Sequence, residues 1–112
     1  MKRYGMVIGL NADKVDEYKK LHAAAWPDVL KMIRQCNIQN YSIYVRKLDD
    51  GQHHLFSYFE YVGSDFTADM AKMAADPTTQ RWWSLCQPCQ KPLSNRAQDE
   101  WWASMEEVFH AD

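Results

Sequence analysis

Tyr18, His22 and Trp26 stand four residues apart, the spacing that stacks side chains along one face of a helix within reach of one small ligand. Their chemistries complement one another. An imidazole exchanges protons near neutral pH, a phenol donates or accepts a hydrogen bond, and an indole offers an N–H beside a flat apolar wall. Ala25 and Val29 share that face, so a hydrogen-bonded core histidine satisfies the same spacing. Two adjacent pairs, Trp82-Trp83 and Trp101-Trp102, supply four of the five tryptophans. Neighbours on a helix point about a quarter-turn apart, so one ring of a pair can meet the core while the other meets a pocket or a partner. Sugars suit such walls, laying C–H faces on the rings while an indole N–H binds a hydroxyl. Core filling and subunit contact are the competing uses, because aromatic residues dominate both.

Cys86-Gln87-Pro88-Cys89 forms a C-x-x-C. A redox pair of this kind opens a helix, whose positive end lowers the thiol pKa. Here the pair falls where a helix is expected to end. A zinc site would need a second such pair or spaced histidines, and His53, His54 and His110 lie at no recognised ligand spacing. The chain also contains no Gly-rich phosphate loop, serine nucleophile motif or dinucleotide fingerprint.

The elements that must position these residues follow from periodicity. Tyr4, Met6, Ile8 and Leu10 alternate with Gly5 and Gly9 opposite, which predicts a strand whose second face is closely approached. Asn11 and Asp13 offer caps to a helix running from Val15, and Trp26-Pro27 predicts a kink or restart before the helix continues to about Cys36. Tyr41, Ile43 and Val45 alternate, Asp49-Asp50-Gly51 supplies a turn, and His54 to Val62 alternates again, predicting a β-hairpin. Ser64 or Asp65 caps a helix striped with Phe66, Met70, Met73 and Ala74. Pro77 starts another that carries Trp82 and Trp83. Lys91 to Asp99 reads as a loop, and Met105 to His110 as a closing strand.

The order β-α-β-β-α-β predicts a single α+β domain over residues 1–112, a ferredoxin-like split βαβ sandwich with an antiparallel sheet and helices on one face. The uncovered face would expose aromatic residues, which implies a second subunit sheet or a sheet curled over a cavity.

Composition narrows the partners. Hydrophobic residues make up 46% and charged residues 25% of the 112, the balance of a folded domain rather than a disordered one. A net charge of −2 without a Lys/Arg run provides no field for nucleic acid or anionic membrane and favours a small neutral ligand. No run of apolar residues is long enough for a membrane span, no signal peptide is evident, and three cysteines are an odd number for a disulfide framework. A cytoplasmic location is expected.

The segment Tyr18-x-x-x-His22-x-x-x-Trp26-Pro27, then Asn40-Tyr41-Ser42-Ile43-Tyr44, Gln80-Arg81-Trp82-Trp83 and Met105-Glu106-Glu107-Val108-Phe109, resembles the L-rhamnose mutarotase family across nearly the whole chain. The resemblance implies a homodimeric α/β barrel that needs no metal or organic cofactor and acts at the anomeric carbon of a free monosaccharide. By position His22 is the proton donor, and Tyr18, Tyr41, Trp82 and Trp83 bind substrate. The helical spacing adds Trp26 to that set. His22 would protonate the ring oxygen and recover the proton on closure, with Tyr18 or water as the base. After Trp83 the chain departs from the rhamnose pattern. Relatives with such a tail look like enzymes acting on L-fucose, so the 6-deoxy sugar is L-rhamnose or L-fucose. A sugar-binding or regulatory module of the same architecture is the alternative.

Overall fold

Strand β1, Lys2–Leu10, turns Ile8 and Leu10 into the core at the expected period of two. In this computed structural model, which describes all 112 residues, β1 is central. It pairs along its length with β3, His53–Tyr61, which in turn pairs with β2, Ile38–Lys47. The other edge of β1 is shared by two short strands, β4 (Gln90–Lys91) and β5 (Ala103–Met105). Every pairing is antiparallel, in the order β2-β3-β1-β4. This is the predicted ferredoxin-like α+β arrangement, with the fourth strand position split between β4 and β5. Gly9 has no freedom to be otherwise, since a Cβ there would lie 2.5 Å from the Lys91 carbonyl oxygen of β4.

Four helices pack on one sheet face: α1 (Val15–Ala23), α2 (Pro27–Gln35), α3 (Phe66–Ala75) and α4 (Pro77–Cys86). Asp65 caps α3 by accepting from Ala68 N at 3.0 Å, and Asp76 caps α4 by accepting from Thr79 N at 2.9 Å. The core has two parts. Ile8, Leu10, Tyr18, Val29, Leu55, Trp82, Cys86 and Cys89 form one, and Cys36, Ile38, Phe59, Tyr61 and Met73 the other. Trp83 packs against both.

Three local expectations need correction. Asn11 does not cap a helix with its side chain. A 3-10 turn at Ala12–Lys14 leads into α1 instead, and the Asn11 amide donates to the Pro88 carbonyl at 3.4 Å. The closing strand is Ala103–Met105, where Gly5–Val7 offer free backbone groups, and residues 106–112 form no strand. Adjacent Val108 and Phe109 break the alternation a strand requires, and they remain exposed. The segment expected as loop from Lys91 begins with a strand residue.

Candidate active site

Tyr18 and His22 lie one turn apart on α1, as their spacing requires, and their rings stack at 4.1 Å between centroids. Tyr18 is buried and His22 is half-buried. His22 Nδ1 donates to the Tyr18 carbonyl oxygen at 2.9 Å. A carbonyl can only accept, which fixes the tautomer: Nδ1 carries the hydrogen and Nε2 keeps its lone pair. Burial lowers the His22 pKa below its ordinary 6.5, against a smaller raising effect of the Tyr18 carbonyl. The ring is therefore neutral at neutral pH.

Trp26 does not continue this stack. The residue before a proline is driven to extended backbone, and Trp26 has φ −68° and ψ 133° as the N-cap of α2. With α1 ended at Ala23, the indole meets Trp82 edge-on at 5.3 Å and lines a separate open groove with Glu17, Lys20, Leu21 and Ala24.

A cavity of about 520 Å³ opens between α1, α2, α4 and the start of β2, within the size range of small-molecule sites. His22, Tyr41 and Trp82 line it, with Val29, Ile33 and Ile43 as apolar wall. Trp82 approaches His22 edge-on at 5.1 Å. Of the six residues singled out from sequence, these three form the wall. Tyr18 stands behind His22, while Trp26 and Trp83 lie outside the lining. Arg34, Gln39 and Asn40 also line the cavity and were not anticipated.

Tyr41 reaches the cavity because of a β-bulge. Gln39 pairs with Glu60 and Ser42 with Tyr58, so Asn40 and Tyr41 together oppose Phe59. Asn40 takes the left-handed backbone this needs, at φ 50°, and its side chain donates to Glu60 Oε1 at 2.7 Å. The Tyr41 ring contacts Phe59 at 5.5 Å, and desolvation pushes its phenol up to about 12. Burial also raises the Tyr18 phenol, so both remain protonated at neutral pH.

Behind the site, the buried Gln90 donates from Nε2 to the Tyr18 hydroxyl at 3.1 Å and accepts from Trp101 Nε1 at 2.8 Å. The C-x-x-C lies at the end of α4 and in a 3-10 turn. Both thiols are buried and unpaired, with burial pushing Cys86 up to about 12 and Cys89 up to about 11. Cys89 donates to Glu17 at 3.2 Å. They are thiols rather than thiolates, unsuited to nucleophilic redox exchange.

Fold and site together define a small α+β protein of the dimeric α/β-barrel type, with a histidine on the wall of a ligand-sized pocket. A crystal structure of the L-rhamnose mutarotase from Formosa agariphila superimposes over 100% of both chains with a TM-score of 0.73 at 19% identity. The tetracenomycin F2 cyclase of Streptomyces glaucescens, a type-II polyketide cyclase, shares the fold at 0.66 and 14%, also over 100% of each chain. The sequence profile of L-rhamnose mutarotase matches residues 3–111. L-rhamnose mutarotases of Oceanobacillus iheyensis and Bacillus subtilis are 33% and 30% identical over the full length of both chains. The chain belongs to the L-rhamnose mutarotase family, a family of isomerases. No helix is long and apolar enough to cross a membrane.

Proposed function

We propose that this protein, as a homodimer, interconverts the α and β anomers of a free 6-deoxyhexose, L-rhamnose in the first instance, using His22 as the proton-exchanging group. The observation that carries this reading is the His22–Tyr18 hydrogen bond at 2.9 Å, which holds a desolvated imidazole on the wall of the cavity with Nε2 unprotonated. Fold alone would not choose the chemistry, since a polyketide cyclase shares it.

Anomer exchange requires the anomeric hydroxyl to lose a proton and the ring oxygen to gain one as the C1–O5 bond breaks. Neutral His22 begins as acceptor, taking the proton of the anomeric hydroxyl at Nε2. The imidazolium so formed is the donor expected from the resemblance, and it delivers the proton to the ring oxygen. The open aldehyde turns about C1–C2, and the same transfers in reverse close the ring on the other face. No proton is consumed overall. Trp82 supplies a flat wall for the apolar part of the sugar, and Arg34, Gln39, Asn40 and Tyr41 supply polar groups for its hydroxyls. Confinement of the open chain favours reclosure over escape.

Magnetisation exchange between the anomeric protons of L-rhamnose, L-fucose and D-glucose tests the proposal. Faster exchange than the spontaneous rate is expected with L-rhamnose, and the L-fucose arm shows whether the choice of 6-deoxyhexose extends to that sugar. Binding of L-rhamnose with only spontaneous exchange would make the protein a sugar-binding module instead.

A further inference from the structure

We infer that Gln90 is a positioning residue that commits the Tyr18 hydroxyl to donate a hydrogen bond to the bound sugar, and that Trp101 locks Gln90 in the orientation this requires. The inference rests on the mutarotase reading and deepens it. An amide can be turned either way round, presenting oxygen or nitrogen to a neighbour. Here chemistry leaves one choice. An indole N–H can only donate, so the Gln90 atom 2.8 Å from Trp101 Nε1 must be the oxygen. The amide nitrogen then faces Tyr18 and donates to the phenol oxygen at 3.1 Å.

With that lone pair engaged, the Tyr18 hydroxyl still carries its proton, and no group in the chain receives it. Donation toward a ligand is the remaining use. Tyr18 lies directly behind the cavity wall, where such a proton is valuable: its ring stacks at 4.1 Å on His22, which lines the cavity. A phenol that keeps its proton and hydrogen-bonds the sugar polarises the ring while His22 carries the transferred proton between the anomeric hydroxyl and the ring oxygen. Gln90 and Trp101 both lie beyond Trp83, in the C-terminal part of the chain that the L-rhamnose mutarotase profile also matches. The tail therefore reaches the site through Tyr18 without lining the cavity.

Two substitutions of similar length separate positioning from mere packing. Gln90→Glu keeps an acceptor for Trp101 but places a carboxylate oxygen against Tyr18, reversing the hydrogen bond and diverting the proton. Gln90→Met removes the hydrogen bonds without reversing them. For a free 6-deoxyhexose substrate, kcat/KM should fall roughly tenfold or more in Gln90→Glu and less in Gln90→Met. The Tyr18 ¹³Cζ resonance should shift in the glutamate variant as its hydroxyl turns to a carboxylate. A glutamate variant as active as wild type, or more active than the methionine variant, would overturn the inference. Should Gln90→Glu fail to fold, Trp101→Phe frees the amide to turn; a drop of about two- to fivefold in kcat/KM supports the lock, and no change refutes it. If wild-type protein catalyses no anomer exchange, the mutarotase reading fails, while the ¹³Cζ comparison still reports the direction of the Gln90–Tyr18 bond.

Discussion

His22 experiences two opposing influences, and the larger one sets its working form. Desolvation disfavours the imidazolium, while the Tyr18 carbonyl favours it less strongly. The folded-state pKa is thus below the unfolded value of about 6.5. The kcat/KM profile for L-rhamnose should stay level as pH falls to 6.5 and decline only as the neutral ring protonates below that value. A midpoint above 6.5 would contradict the acceptor role. The same shift has a stability sign: the unfolded chain binds the proton more readily, so the His22 contribution is fully present above 6.5. It is lost as pH falls from there through the folded pKa. His22→Ala should lower exchange by roughly 10²- to 10⁴-fold while calorimetry shows only modestly weaker sugar binding; near-normal exchange would remove His22 from the mechanism. Replacing Cys86 and Cys89 together by alanine should leave exchange per folded molecule unchanged, although thermal unfolding comes earlier because both side chains are buried. Loss of exchange in the folded double variant would instead give these thiols a chemical role. At this scale the sequence made the Tyr18–His22 pair legible, because four-residue spacing survives within one uninterrupted helix. It did not reveal Gln90, whose partners are 72 and 11 positions away and leave no periodic trace.

Elements were most legible where a local residue dictates the backbone. Pro27 announced the break between α1 and α2, and that same break carried Trp26 away from the face it would have shared with His22. The bulge in β2 leaves no trace in the alternation of Tyr41, Ile43 and Val45, because its extra residue lies ahead of that run. Its signature is a change of parity: Ile38 and Ile43 both face the helices, yet they stand an odd five positions apart. Asn40 absorbs the extra residue, and its identity is predicted to matter. Asn40→Val places a β-branched residue at φ 50° and removes the bond to Glu60, together a loss of about 2 to 3 kcal/mol in denaturant unfolding. KM for the sugar should rise as Tyr41 is re-aimed. Asn40→Gly tolerates the backbone and forfeits only the side-chain bond, so its loss should be about 1 kcal/mol. Equal losses in the two variants would show that the left-handed backbone contributes little to holding the bulge.

The whole molecule exposes more surface than a finished monomer of its mass. A monomeric protein of 13.2 kDa exposes roughly 6,400 Å² by the usual scaling, whereas this chain exposes 7621 Å². Part of that excess, roughly 1,200 Å² in all, belongs to the exposed residues 106–112, and an interface of standard size would cover ~800 Å² on each partner. Its most suitable location is the helix-free sheet face, where the strand registers bring Val7, Phe56 and Tyr44 side by side, with Tyr58 one step along; Tyr44 is 65% exposed. Facing sheets would cover this patch and leave the His22 cavity, on the helix side, open to sugar. Light scattering should therefore give about twice the chain mass at micromolar concentration. Phe56→Asp places a charge at the centre of the patch and should produce monomers, without loss of the Tyr18–His22 stack on the opposite face. Wild-type protein that remains monomeric at tens of micromolar, or a Phe56→Asp variant that remains dimeric, would exclude this face as the subunit contact.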